Sequence, residues 1–181
     1  MTHFDADVPD APHSHKLPLL RSLQEDLLGL DYSVEGVSTL IGPDADAALA
    51  RDQLVPARLV CREAGGSNGL AAVVLLWLLG GTLSAGRIAG ALPRTGVQGL
   101  LALRLIEEHD GGYRAKVDLR PYASDAGGDL WVASDLGSHQ RQGVLRRDHV
   151  LGIGQASLTL AQLTAAAAHL ACFISNLACS S

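Results

Sequence analysis

Residues 69–81, GLAAVVLLWLLGG, contain no charged side chain, and their one polar group is the indole of Trp77. The run falls short of the roughly 20 residues a helix needs to cross a bilayer, so its apolar surface has to be covered by protein. It predicts a strongly apolar helix over 70–79, with Trp77 as an anchor against its neighbours, and the rest of the chain has to wrap it. Composition agrees: 48% of the 181 residues are apolar and only 4% aromatic, many of them Leu or Ala, which predicts an aliphatic and mostly helical core. The length suits one domain, or one domain with an appended subdomain.

Upstream of the apolar run the pattern is helical. Leu20, Leu23, Leu27 and Leu30 recur at separations of three and four, a single stripe on a helix that tolerates Pro18 in its first turn. Ser33 precedes a short helix to about Ile41, and Gly42-Pro43-Asp44 starts another through Ala45, Ala47, Ala48 and Leu49. Residues 54–60, LVPARLV, are expected as a short extended or connecting piece, and REAGGSNG as a turn. Residues 1–16, with Pro9, Pro12 and several acids, form the expected flexible leader, and 17–68 an N-terminal helical subdomain.

Downstream, Thr82 or Ser84 can cap a helix through Arg87, Ile88 and Leu92, followed by a Pro-Arg-Thr-Gly turn. Val97, Leu100, Leu101, Leu103 and Ile106 predict a second helix, VQGLLALRLIEEHD, ending near Gly111 and Gly112. YRAKVDLRPY and GGDLWVASDL then alternate as two strands paired across YASDAGG. Helix, helix and paired strands is the winged-helix order, assigned to residues 69–148. The expected fold is mainly α with a small antiparallel β wing, a winged-helix-like domain preceded by a helical subdomain.

That order often binds DNA through its second helix. A nucleic-acid-facing surface would draw on Arg87, Arg94, Arg104, Arg114 and Lys116, yet the candidate helix ends in Glu107, Glu108 and Asp110, which phosphate repels. Residues 61–181 carry nine acids against ten bases, and residues 1–60 ten against four, within a net charge of −5. Without a basic surplus, solvated or ion-paired arginines in an adaptor module are favoured over sequence-specific reading of DNA.

Catalytic motifs are lacking. There is no GxSxG elbow, none of the seven histidines is tied by a motif to a nucleophile and a carboxylate, and Glu107 and Glu108 do not converge as an acid/base pair. His3, His13 and His15 lack a Cys or carboxylate at metal-ligand spacing. Cys61, Cys172 and Cys179 make neither a disulfide framework nor a CxxC, usage that suits a reducing cytosol. The acidic, polar start lacks the pattern of a signal peptide, so the expected location is cytoplasmic. GIGQAS at 152–157 lacks both GxGxxG and GxxxxGK[ST], leaving a connector in which Ser157 caps the helix begun by TLAQL.

Taken together, RSLQEDLLGLDYSVEGVSTLIGPDADAALARDQLVPARL, VDLRPY, DLWVASDLG and RRDHVLGIGQASLTLAQLT resemble the N-terminal region of a family of actinobacterial S-adenosylmethionine-dependent methyltransferases, over roughly residues 17–164. The resemblance implies a helical and winged-helix-like front domain joined to a doubly wound methyltransferase domain. Residues 149–164 would be the connector to that domain, and Ser157 and Thr159 match positions near the mouth of the cofactor site. The glycine-rich loop of the DLGTGCG kind, the acidic ribose ligand and the NPPY-like motif would come after Thr164. Residues 165–181, AAAAHLACFISNLACSS, match none of them.

The implied function is therefore a non-catalytic accessory domain that shapes acceptor binding in a methyltransferase. It would hold no metal and no catalytic residue, and S-adenosylmethionine would be the cofactor of the full-length relative alone. The methyl acceptor stays unassigned. The alternatives are a winged-helix nucleic-acid-binding or regulatory module, and a structural interaction protein that self-associates through its apolar tail; a membrane segment is not expected.

Overall fold

In the computed structural model, residues 11–123, 129–137 and 140 are described. The fold is mainly helical with a small antiparallel β part. Among the described residues seven helices, α1 (Leu17–Gly29), α2 (Val34–Ile41), α3 (Pro43–Leu49), α4 (Val55–Glu63), α5 (Gly69–Val73), α6 (Ala85–Ala91) and α7 (Gly96–Ala102), precede four strands. These are β1 (Ile106–His109), β2 (Gly112–Ala115), β3 (Val117–Ala123) and β4 (Asp129–Asp135).

The apolar run is the centre of the core. Asn68 starts α5 by accepting from the Ala71 amide at 2.9 Å, and the helix continues as a π-helix over Val74–Leu78, whose side chains are all buried. Three consecutive carbonyls at its end are taken by side chains from elsewhere. Gln140 Nε2 donates to Trp77 O at 2.8 Å and more weakly to Leu78 O, and Arg58 donates to Leu79 O through Nε and Nη2 at 3.1 and 2.6 Å. A guanidinium at the negative end of a helix also complements its dipole. Trp77 has no exposed surface and lies tilted against Tyr32, ring centroids 6.1 Å apart; its indole N–H has no partner among the described residues.

Three expectations are corrected. Residues 55–63 are helical rather than extended: Pro56 sits in the first turn, where its missing N–H costs nothing, and Ala57 and Cys61, one turn apart, are buried against the core. The second winged-helix helix stops at Ala102 instead of running to about 110. Arg104 adopts φ +58°, and the Leu105 and Arg104 amides donate to Leu100 O and Leu101 O, both at 3.0 Å, closing a Schellman turn without glycine. Beyond this turn the chain forms a tight hairpin, β1 paired antiparallel with β2 in a register that sets His109 opposite Gly112. Asp110 and Gly111, both at positive φ, make its two-residue loop, the Asp-Gly turn that such hairpins prefer.

YRAKVDLRPY, finally, is two strands broken at Lys116, whose amide donates to Leu105 O at 2.9 Å. β3 does pair antiparallel with β4, in a register setting Leu119 opposite Ala133 and Pro121 opposite Trp131. Leu83, ahead of α6, exchanges both backbone hydrogen bonds with Tyr113 on β2, at 2.9 and 2.8 Å. Gly112 is required beside it, because a Cβ there would stand 2.6 Å from the Leu83 carbonyl oxygen.

Candidate functional site

The winged-helix comparison singles out α7 and its surroundings. Its sequence, GVQGLLA, has no charge, and Gly99 and Leu100 are buried. α1 and the residues leading into it lie against this helix. Leu19 reaches over Gly99, His13 N donates to Leu103 O at 3.0 Å and Lys16 Nζ to Ala102 O at 3.0 Å. Within α7 only Gln98 is exposed.

The start of α7 is held by α1 as well. Asp26, 4% exposed, accepts from Thr95 N and Thr95 Oγ1 at 2.8 Å each through Oδ2, and from Arg94 N at 3.2 Å through Oδ1. A buried carboxylate is tolerated because these donors surround it, and the Thr95 amide, at the N-cap of α7, is one that a helix leaves without a partner. Glu25, next to it, pairs with the exposed Arg94 side chain at 2.7 Å.

A second junction ties the α1–α2 turn to the later hairpin. Tyr32, 1% exposed, donates its hydroxyl to Leu119 O on β3 at 2.6 Å, and Trp131 Nε1 on β4 donates to Tyr32 O at 2.7 Å. Burial pushes the Tyr32 phenol well above its usual value; the Asp118 carboxylate adds to the shift and Arg120 opposes it. Burial raises Tyr122 too, with Arg120 opposing and Asp118 adding. Asp118 is itself buried, accepts from Arg120 Nε at 2.8 Å through Oδ2 and has no partner at Oδ1 among the described residues.

The five basic residues expected on a nucleic-acid face do not form one group of free charges. Arg94 lies just before α7, paired with Glu25. Arg104 forms the turn after α7. Arg114 is on β2, bound to Glu107 at 2.7 Å and 3.5 Å from His109 Nε2. Arg87, on α6, is half-buried, with Nε and Nη2 shielded and lacking partners among the described residues. It is close enough to Cys61 to oppose the burial that pushes that thiol up to about 11. Lys116, half-buried, marks the break between β2 and β3.

Glu107 and Glu108 are neighbours on β1, so their side chains leave opposite faces of a strand. His13 and His15 rings stand 5.6 Å apart, and among the described residues no group of three His, Cys, Asp or Glu could hold a metal ion. No helix among them is long and apolar enough to cross a membrane. A depression lined by Gly80, Arg114, Ala115, Leu136 and Gln140 has room for about one water. Ser157, Thr159, Cys172, Cys179, His3 and the apolar tail lie outside the described residues.

Asp26, Thr95, Tyr32, Trp131, Arg58 and Gln140 carry no signal in the sequence that would mark them. Their partners are up to 99 residues away, as for Trp131 and Tyr32, and no local spacing announces such pairs.

A family model described as a domain of unknown function (DUF7059) matches residues 29–116, just under half of the chain. That segment runs from the last residue of α1 to the residue after β2, so the similarity takes in α2–α7 and the first hairpin. No curated protein and no solved structure matches the chain.

Proposed function

We propose that the chain is an accessory domain of an S-adenosylmethionine-dependent methyltransferase: it shapes the approach of the methyl acceptor, and the cofactor is held outside residues 11–140. The observation that carries this reading is the covering of α7. In a DNA-reading winged helix the second helix enters the major groove with its side chains free. On this chain α1 and its lead-in pack on the helix, Asp26 takes the amides at its start, and the helix offers no charge to a phosphate. A winged-helix module arranged in this way is suited to packing against protein.

The polar groups inside the body support the same reading. Asp26, Tyr32, Arg58, Trp131 and Gln140 each bridge two parts of the chain and hold the fold together. The resemblance of residues 17–164 to methyltransferase front domains names the enzyme class. A cytoplasmic location accompanies this reading, in keeping with the free, buried thiol of Cys61.

The experiment is calorimetric titration of the full chain with S-adenosylmethionine, and then with a separately produced doubly wound methyltransferase domain of the family it resembles. Saturable binding is expected with the domain and not with the cofactor alone. Cofactor binding in the low-micromolar range by this chain, or no association with the domain, would overturn the proposal. A mobility shift of duplex DNA at low salt, weakened by Arg114→Ala, would favour the nucleic-acid alternative instead.

A further inference from the structure

Two dipeptides of the chain place a side-chain carbonyl just before glycine, Asn68-Gly69 and Asp110-Gly111, and no other Asp or Asn is followed by glycine. Such pairs can cyclise, because the glycine amide reaches the side-chain carbon through a five-membered ring and glycine has no Cβ to hinder it. The fold treats the two in opposite ways. Asn68 is held: its Oδ1 accepts from the Ala71 amide at 2.9 Å as the cap of α5, which begins at the next residue. Gly69 is wedged in place, since a Cβ there would stand 2.6 Å from Leu30 Cδ2 and 3.5 Å from Ala91 Cα. Ring closure at Asn68 would have to release the cap and shift the start of α5.

Asp110 is open. Its side chain is 83% exposed, and a Cβ added at Gly111 would meet nothing within 4 Å. The Gly111 amide, the nucleophile of the ring closure, has no partner among the described residues. His109 Nε2 stands 3.3 Å from Asp110 Oδ2, within reach to hand a proton to an oxygen that leaves the carboxyl. Arg114, 3.5 Å from the same nitrogen, is itself bound to Glu107 at 2.7 Å.

We infer that Asp110-Gly111 is a site of spontaneous covalent modification, the conversion of Asp110 to isoaspartate, and that the fold protects Asn68-Gly69 from the same ring closure. In the first step Gly111 N bonds to Asp110 Cγ, and the carboxyl hydroxyl leaves as water with the amide proton. In the second step water opens the succinimide at the main-chain carbonyl carbon of Asp110. The chain then runs on through Cγ, and the former main-chain carbon becomes a free carboxylate. Mass and net charge are unchanged, but the backbone gains a methylene. A two-residue loop has no room for it, so the register that sets His109 opposite Gly112 is lost. Gly112 packs on the Leu83 carbonyl, and Tyr113 exchanges backbone hydrogen bonds with Leu83, so the modification loosens the first hairpin from the segment entering α6.

The test is to age the full chain for several weeks near neutral pH, native and unfolded in guanidinium, and to digest it with trypsin beside an unaged sample. The peptides Leu105–Arg114 and Glu63–Arg87 report the two sites. In the native chain the first should split into two species of equal mass, told apart as aspartate and isoaspartate by electron-transfer fragmentation, while the second keeps its mass. In the unfolded chain the second should show the mass increase of deamidation, so that folding reverses which site reacts. Absence of isoaspartate at residue 110 in the native chain, or deamidation of Asn68 at the same rate native and unfolded, would overturn the inference. The isoaspartyl chain, once separated, should unfold at a lower urea midpoint than the unaged one; an equal midpoint would overturn the loosening of the hairpin.

Discussion

Helices α6 and α7 are adjacent, equal in length at seven residues, and begin in opposite ways. α6 carries its own cap: Ser84, extended at φ −72° and ψ 156°, accepts from the Arg87 amide three residues on. Thr95 before α7 is itself helical and offers no side-chain cap. Its own amide and hydroxyl are taken instead by Asp26, 69 residues earlier in the chain, which fixes the residue from which α7 departs. A local cap stabilises a helix whatever surrounds it, whereas a remote one makes the start of the helix conditional on tertiary packing. Formation of α7 is thereby coupled to docking of α1, the same element that places Leu19 over Gly99.

The strongest way to break this contrast is Asp26→Ala. It removes three hydrogen bonds to a carboxylate and leaves the Thr95 donors buried, at a cost of about 3 kcal/mol in urea unfolding. Hydrogen exchange should show the loss concentrated in the α7 amides and in α1, with α6 protected as before. A loss below about 1 kcal/mol, or one spread evenly over both helices, would mean that α7 does not depend on α1. Ser84→Ala is the matched control. Its bond is long at 3.4 Å and exposed, so a loss of about 0.5 kcal/mol is expected, confined to the first turn of α6.

The same contrast separates the parts of the fold that are legible in the sequence from those that are not. The buried helix around Trp77, the Leu stripe of α1, the caps Ser33 and Ser84, and the pairing of β3 with β4 all rest on local pattern, and the structure has them. Residues 55–60 read as a connector because Val55 and Leu59 point outward, which spoils the apolar periodicity of α4. The sequence makes α7 look too long because Arg104 ends it where glycine is usual, so leucines at 100, 101, 103 and 105 continue one apparent stripe. Asp110-Gly111 does signal the first hairpin, but the helical pattern ahead of it masks the turn. The candidate site is less legible still. The basic residues are visible in the sequence, but the pairing of Arg94 with Glu25 and of Arg114 with Glu107, and the covering of α7, arise only once separate elements meet.

The smallest predicted effect has the opposite sign, and it bears on both the fold and the function. Arg104 holds φ +58° at the end of α7, a conformation that costs a side-chain-bearing residue about 1 kcal/mol and glycine almost nothing. Against this, glycine raises the entropy of the unfolded chain, offsetting much of the gain. Arg104→Gly should therefore raise stability by about 0.3 kcal/mol, read as a small increase in the urea midpoint with an unchanged slope. If Arg104 instead held its place for the sake of a phosphate, the same variant would weaken binding of duplex DNA and lower its salt dependence by one contact. A gain in stability with no change in DNA binding is the outcome that a helix covered by α1 requires, because an arginine that only closes a turn has nothing to lose when glycine closes it better.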